Sequence, residues 1–181
     1  ACIAYEDLIY YQSFDRTWVR EVLTSQPLSQ VLDLDWDYQI CSIKPAVAYD
    51  FLVGWTKEPA ISSDLIRQVK GAIKEDFRKE SQSAVKNLEK GLREGNQKEI
   101  EASIKRADQN LKSLNPLIYT PALKALQEAT EGLSACAKSS GAGGGDCGTA
   151  LSFAPVETQT LIDRWKDKNI EVIYQERMGD S

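Results

Sequence analysis

From Asp64 to Ala137 the apolar residues recur every three or four positions, whereas on both sides of that stretch they alternate. Helical spacing enclosed by strand spacing predicts an α+β fold, with an antiparallel sheet packed with helices. On the N-terminal side, LIYYQSF (8–14), WDYQICSI (36–43) and AYDFLVGWT (48–56) read as strands, with a helical segment between 18 and 32 that stops near Pro27. Tyr49, Phe51, Val53 and Trp55 share one strand face by alternation.

The middle carries four apolar stripes. Ser62-Ser63-Asp64 supplies a cap for a helix bearing Leu65, Val69, Ile73 and Phe77. Val85, Leu88 and Leu92 mark a shorter helix ending near Gly95-Asn96, and Ile100, Ile104, Ala107, Leu111 and Leu114 mark the next. Thr120-Pro121 reads as a cap and first turn, opening a helix that the spacing of Leu123, Leu126, Thr130, Leu133 and Ala137 extends to the glycine-rich segment. Beyond that segment come a strand, TALSF, a helix from Pro155 with Asn169 as a left-handed stop, and a closing strand, IEVIYQE.

Composition narrows the chemistry. The 181 residues include 22 Lys and Arg against 27 Asp and Glu, a net charge of -5, which lacks the basic excess of a nucleic-acid binder. No run of 18 apolar residues occurs to span a membrane. Histidine is absent, which removes Ser-His-Asp and Cys-His nucleophiles and most zinc sites. The four cysteines, Cys2, Cys41, Cys136 and Cys147, show no CxxC spacing and predict buried thiols of a reduced, cytoplasmic protein. The single methionine is Met178, and the opening ACIAYED reads as the continuation of a longer chain.

The segment that carries chemistry is Lys138-Ser139-Ser140-Gly141-Ala142-Gly143-Gly144-Gly145-Asp146-Cys147-Gly148. Glycine tolerates positive φ and admits close approach of a ligand, so successive N–H groups there can converge on an anion. Flanking hydroxyls, a lysine and a carboxylate suit the binding and transfer of phosphate. Gly143-x-Gly145-x-x-Gly148 matches the dinucleotide-binding expression, but that motif has to open a helix, and here a strand follows. No Gly-Lys-Ser/Thr triplet makes a Walker A loop. Lys138 reads first as a helix C-terminal lysine favoured by the macrodipole, and second as added charge at the loop.

KSSGAGGGDCGTAL resembles the third conserved motif of the GHMP kinases, in the form seen in phosphomevalonate kinases. FLVGWTKEPAISS (51–63) resembles the strand, loop and capped helix of the same kinases. The opening ACIAYEDLIYYQSFDR and closing IEVIYQER are similar to streptococcal-type bacterial members, so the likeness covers essentially the whole chain. The resemblance implies a ferredoxin-like C-terminal domain over 47–181, preceded by a remnant of the N-terminal half over 1–46. It implies transfer of the ATP γ-phosphoryl group to (R)-5-phosphomevalonate, giving diphosphomevalonate. Ser62, Ser140 and Ala142 would contact phosphomevalonate, with Ser139, Gly141, Gly143, Gly144, Gly145 and Asp146 forming the phosphate loop. Asp146 stands first as a turn-stabilising residue, and second as a group near Mg²⁺ or a substrate hydroxyl; Ser62 is equally a helix cap. ATP and Mg²⁺ would be held mainly by the N-terminal half, which also supplies the catalytic Asp upstream of Ala1. This chain then holds no catalytic residue and no metal ligand, and is inactive alone. Two alternatives stay open: a non-enzymatic module binding an anion or a partner protein, and a relative of mevalonate kinase.

Overall fold

The computed structural model describes residues 5–59, 67, 69, 71–141 and 143–179. The chain divides into two units, Ala1–Lys44 and Pro45–Ser181. In the first, β1 (Ile9–Gln12) pairs antiparallel with β2 (Gln39–Ser42), Tyr10 opposite Cys41. Between them lie α1 (Arg16–Ser25) and α2 (Leu28–Leu32). The Asp15 carboxylate caps α1 by accepting the N–H groups of Thr17 and Trp18 at 2.8 and 3.2 Å, and Pro27 separates the two helices.

The second unit contains a four-stranded antiparallel sheet. Its strands are β3 (Tyr49–Trp55), β4 (Ala135–Ser139), β5 (Cys147–Ser152) and β6 (Glu171–Met178), in the spatial order β4-β5-β3-β6. Its helices are α3 (Glu75–Glu94), α4 (Gln97–Leu114), α5 (Pro121–Glu128) and α6 (Pro155–Asp167), with a 3₁₀ turn over Pro116–Ile118. Leu126 of α5 and Leu161 and Trp165 of α6 bury one sheet face, packing on Leu52, Ala150 and Ile170. Gly54 lies directly under the Trp165 ring, whose Nε1–H donates to the Leu126 carbonyl at 2.9 Å. The face that touches this core is therefore that of Asp50, Leu52 and Gly54; Tyr49, Phe51, Val53 and Trp55 line the opposite one.

Local chemistry explains most boundaries. Gly95 ends α3 in the left-handed conformation, φ 67°, at a place where a Cβ would come within 2.7 Å of the Ala46 carbonyl. Asn96 then caps α4 by accepting the Glu99 N–H at 3.2 Å, and Thr120 caps α5 with Pro121 in its first turn. Asn169 is left-handed at φ 58° after α6.

Two expectations are corrected. The recurrence Leu65–Val69–Ile73–Phe77 is not one helix: a turn at Gly71-Ala72 interrupts it, and Phe77 belongs to α3, which is longer than the stripe Val85–Leu92 suggests. The cap at 62–64 and Leu65 lie outside the described residues. Likewise, the helix opened by Thr120 stops at Glu128, and Ala135–Ser139 is strand. Leu133, Ala135 and Ala137 fit either period, and pairing with β5, Ala137 opposite Ala150, decides it. Gly132, at φ 74°, turns the chain between the two.

Four basic residues of α3 and α4 pair with carboxylates on the helix surface: Arg93 with Glu89, Arg106 with Glu80, Lys90 with Glu94, and Lys112 with Asp108. Among the described residues, no helix is long and apolar enough to cross a membrane.

Candidate functional site

The glycine-rich segment connects two antiparallel neighbours. Ser139 ends β4 opposite Gly148 of β5, and Ser140, Gly141 and Gly143 to Asp146 lie in the loop of the hairpin. Four consecutive residues, Gly143, Gly144, Gly145 and Asp146, have positive φ, at 79°, 85°, 122° and 66°. Such a run is strained for residues that carry a Cβ, which accounts for three glycines in a row.

The loop is clamped on two sides. The Gly144 N–H donates to the Ile118 carbonyl at 2.8 Å, tying the loop to the 3₁₀ turn. A Cβ on Gly143 would lie inside van der Waals contact with the Ile118 carbonyl and Cγ2. From the other side, Asp146 donates its N–H to the Glu58 carbonyl at 2.6 Å and accepts the Thr56 N–H at 2.7 Å. A Cβ on Gly145 would meet the Glu58 carbonyl at 3.0 Å. The glycines are thus required first by the protein's own close packing. The N–H groups of Gly141, Gly143 and Gly145 have no acceptor among the described residues. Unaccepted main-chain donors in a fixed, curved loop are the chemistry of an anion nest.

The residues singled out from sequence take different positions. Ser139 is only 1% exposed; its N–H donates to the Tyr119 hydroxyl at 3.2 Å. Ser140 is exposed, its hydroxyl donating to the Cys147 carbonyl at 2.9 Å. Gly141 is exposed with open space around its α-carbon. Asp146 clamps the turn through its main chain, while its side chain is exposed and raises the pKa of the neighbouring Cys147 thiol, second to burial. Ser62 and Ala142 lie outside the described residues.

Lys138 is corrected. It sits on β4, not at a helix C-terminus, and its ammonium donates to the Ser139 carbonyl at the root of the loop. Burial pulls its pKa below the ordinary lysine value, with Asp108 pushing the other way.

A buried polar group behind the hairpin was not legible in the sequence. Asp108 of α4, 5% exposed, accepts from Gln127 of α5 and pairs with Lys112 at 2.7 Å. The Lys112 ammonium also lies 4.7 Å from the centre of the Tyr119 ring. Burial, then a hydrogen bond to Asp108, raises the Tyr119 pKa far above that of a free phenol. Asn115-Pro116 before Tyr119 signals a turn, but nothing in the sequence places that turn against residues 139–144.

No protein-family model matches the chain. Its structural neighbours are GHMP kinases: L. major mevalonate kinase, in complex with R-mevalonate, superimposes with a TM-score of 0.62 over 77% of this chain and 44% of that one, at 17% identity, a likeness of fold alone. Among the proteins of that class, the chain is similar in sequence to phosphomevalonate kinases. It is 48% identical to the Streptococcus pneumoniae phosphomevalonate kinase, with a TM-score of 0.91, over 98% of this chain and 55% of that one. It is 31% identical over 175 residues to the phosphomevalonate kinase of Streptomyces sp. (strain CL190), 90% of this chain and 47% of that protein. The chain thus spans about half the length of the relatives it matches.

Proposed function

We propose that this chain is the C-terminal part of a phosphomevalonate kinase, contributing the loop that holds substrate and transferring phosphates. The observation that carries the proposal is the hairpin 139–147, whose positive-φ run leaves main-chain donors unaccepted among the described residues. The likeness to the S. pneumoniae kinase supports it, since a second structure of that kinase is a complex with phosphomevalonate and AMPPNP.

In this reading (R)-5-phosphomevalonate lies against Ser62, Ser140 and Ala142, and Ser139, Gly141, Gly143, Gly144, Gly145 and Asp146 form the wall beside the transferring phosphates. The bond between the ATP γ-phosphorus and the bridging oxygen breaks as a phosphate oxygen of the substrate attacks, giving diphosphomevalonate and ADP. A loop of fixed N–H dipoles serves that step by positioning and by spreading negative charge, which is most of what phosphoryl transfer asks of a protein. Residues 1–46 would be the end of an N-terminal half and 47–181 the C-terminal domain; that half, as partner, supplies the catalytic Asp and most contacts to ATP. Asp146 is the hairpin's one carboxylate, and among the described residues no group of three His, Cys, Asp or Glu could hold a metal. A lone carboxylate does not enclose Mg²⁺, so no step here is assigned to the metal, which belongs with the nucleotide and the N-terminal half. The cytoplasm is the proposed location.

The test is direct. The isolated chain should give no ADP in a coupled assay with ATP and phosphomevalonate, yet its melting temperature should rise with phosphomevalonate and not with unrelated phosphates. Robust turnover would overturn the assignment as a half-enzyme. Stabilisation by mevalonate in place of its phosphate would favour a mevalonate kinase relative.

A further inference from the structure

We infer that Tyr119 is a positioning residue for the glycine hairpin, pinning its root through the Ser139 amide while the adjacent Ile118 carbonyl pins its tip through the Gly144 amide. The inference rests on the hairpin being the phosphate loop proposed above.

β4 is the edge strand of its sheet, so every second N–H along it points away from β5 and needs an acceptor elsewhere. At Ser139, which is buried, that acceptor is the Tyr119 hydroxyl at 3.2 Å. A phenylalanine would fill the same apolar niche beside Ile118 and Leu123. The hydroxyl is what the niche adds. Asp108, a buried carboxylate, lies near enough to raise the phenol's pKa, so the hydroxyl that accepts the Ser139 N–H stays in its neutral form. Asp108 is itself held by Lys112 at 2.7 Å and by the Gln127 amide, which also donates to the Ala137 carbonyl of β4 at 3.2 Å. Helices α4 and α5 are thus tied together through Asp108, and α5 is tied to β4, the strand that Ser139 ends. Five residues further on, the Gly144 N–H meets the Ile118 carbonyl at 2.8 Å. Two consecutive residues thus hold the root and the tip of the hairpin, which fixes the main chain at Ser139 and at Gly144. Small misplacements of main-chain donors are costly for transfer chemistry.

The experiment compares the wild-type chain with Tyr119→Phe and with Leu161→Ala, a core change under the helix-covered sheet face. Amide hydrogen exchange is read by nuclear magnetic resonance, and phosphomevalonate affinity by calorimetry. In Tyr119→Phe the Ser139 and Gly144 amides should exchange about ten-fold faster or more, the scale of one lost buried hydrogen bond, with residues 50–53 unchanged. Its phosphomevalonate Kd should rise about ten-fold, while Leu161→Ala lowers stability and leaves Kd unchanged. A folded Tyr119→Phe whose Ser139 and Gly144 amides exchange as in wild type overturns the inference. So does a Kd that weakens equally in Leu161→Ala. Should the wild-type chain not bind phosphomevalonate, the kinase reading fails while the exchange comparison still decides on the clamp. Should Tyr119→Phe not fold, the wild-type Ser139 amide decides: a small temperature coefficient supports the bond, and a large one overturns it.

Discussion

The Asp146 carbonyl accepts two hydrogen bonds from one residue, Thr56, whose main-chain N–H lies at 2.7 Å and whose hydroxyl lies at 2.8 Å. The Thr56 hydroxyl oxygen also accepts the Glu58 N–H at 3.4 Å, so one side chain joins the end of β3 to the far arm of the glycine hairpin. Thr56 is 5% exposed, which keeps water from substituting for it. Thr56→Val keeps the shape and deletes the hydroxyl. It should lower unfolding free energy by about 1–2 kcal/mol, read as a reduced urea midpoint at constant slope.

The hairpin glycines should differ sharply in tolerance. At Gly143, φ is 79° and a Cβ collides with Ile118; at Gly141 nothing lies within 4 Å and φ is not in the left-handed region. Gly143→Ala should cost about 2 kcal/mol or more, from left-handed backbone strain plus the collision. Gly141→Ala should change stability by less than about 0.5 kcal/mol. Chemical denaturation of the two variants side by side gives the comparison; equal costs would mean that the loop is not held as described.

Gly54 reports on the core and not on the site. An added Cβ would stand 2.8 Å from Trp165 Cζ3 and 3.0 Å from Ile170 Cγ2. Gly54→Ala should destabilise by about 1–3 kcal/mol through overpacking. Because the indole must shift, the near-ultraviolet circular dichroism of Trp165 should change even under fully folding conditions.

Alkaline pH should weaken the fold through groups that are buried in the neutral form. Burial, with Glu101 adding, pushes the Cys136 thiol from 9.0 to about 12, and burial with Glu176 pushes the Tyr49 phenol from 10.0 to about 12. The unfolded chain releases these protons first, so their contribution is whole below pH 9 and falls as pH rises toward 12. Urea midpoints should therefore decline above pH 9, less steeply in Cys136→Ala. At pH 8 Cys136 should resist alkylation until the protein is unfolded, as read by peptide mass spectrometry.

Much of this fold is written in local chemistry. Thr120 caps a helix and Gly95-Asn96 ends one from sequence signals alone, because such residues next to an apolar stripe need no distant partner. Pro155 and Asn169 bracket α6 for the same reason. The glycine run is equally plain: only a loop with repeated positive φ calls for Gly143-Gly144-Gly145.

Where two periods fit, the sequence is silent. Leu133 to Ala137 satisfies both helix and strand, and only the ladder with β5 makes it β4, moving Lys138 from a helix end to the base of the loop. The same holds for the residues that hold the hairpin. Thr56, Ile118 and Tyr119 lie 90, 26 and 20 positions from their hairpin partners, and each contact joins groups with no shared local signal. Helix caps, turns and the strand at each end were determined by the amino-acid order, since their energetics act within a few residues. Which oxygen faces Ser139, which carbonyl meets Gly144 and which strand face receives Trp165 were decided only when distant segments packed, because desolvation and hydrogen-bond satisfaction depend on neighbours that chain order does not name.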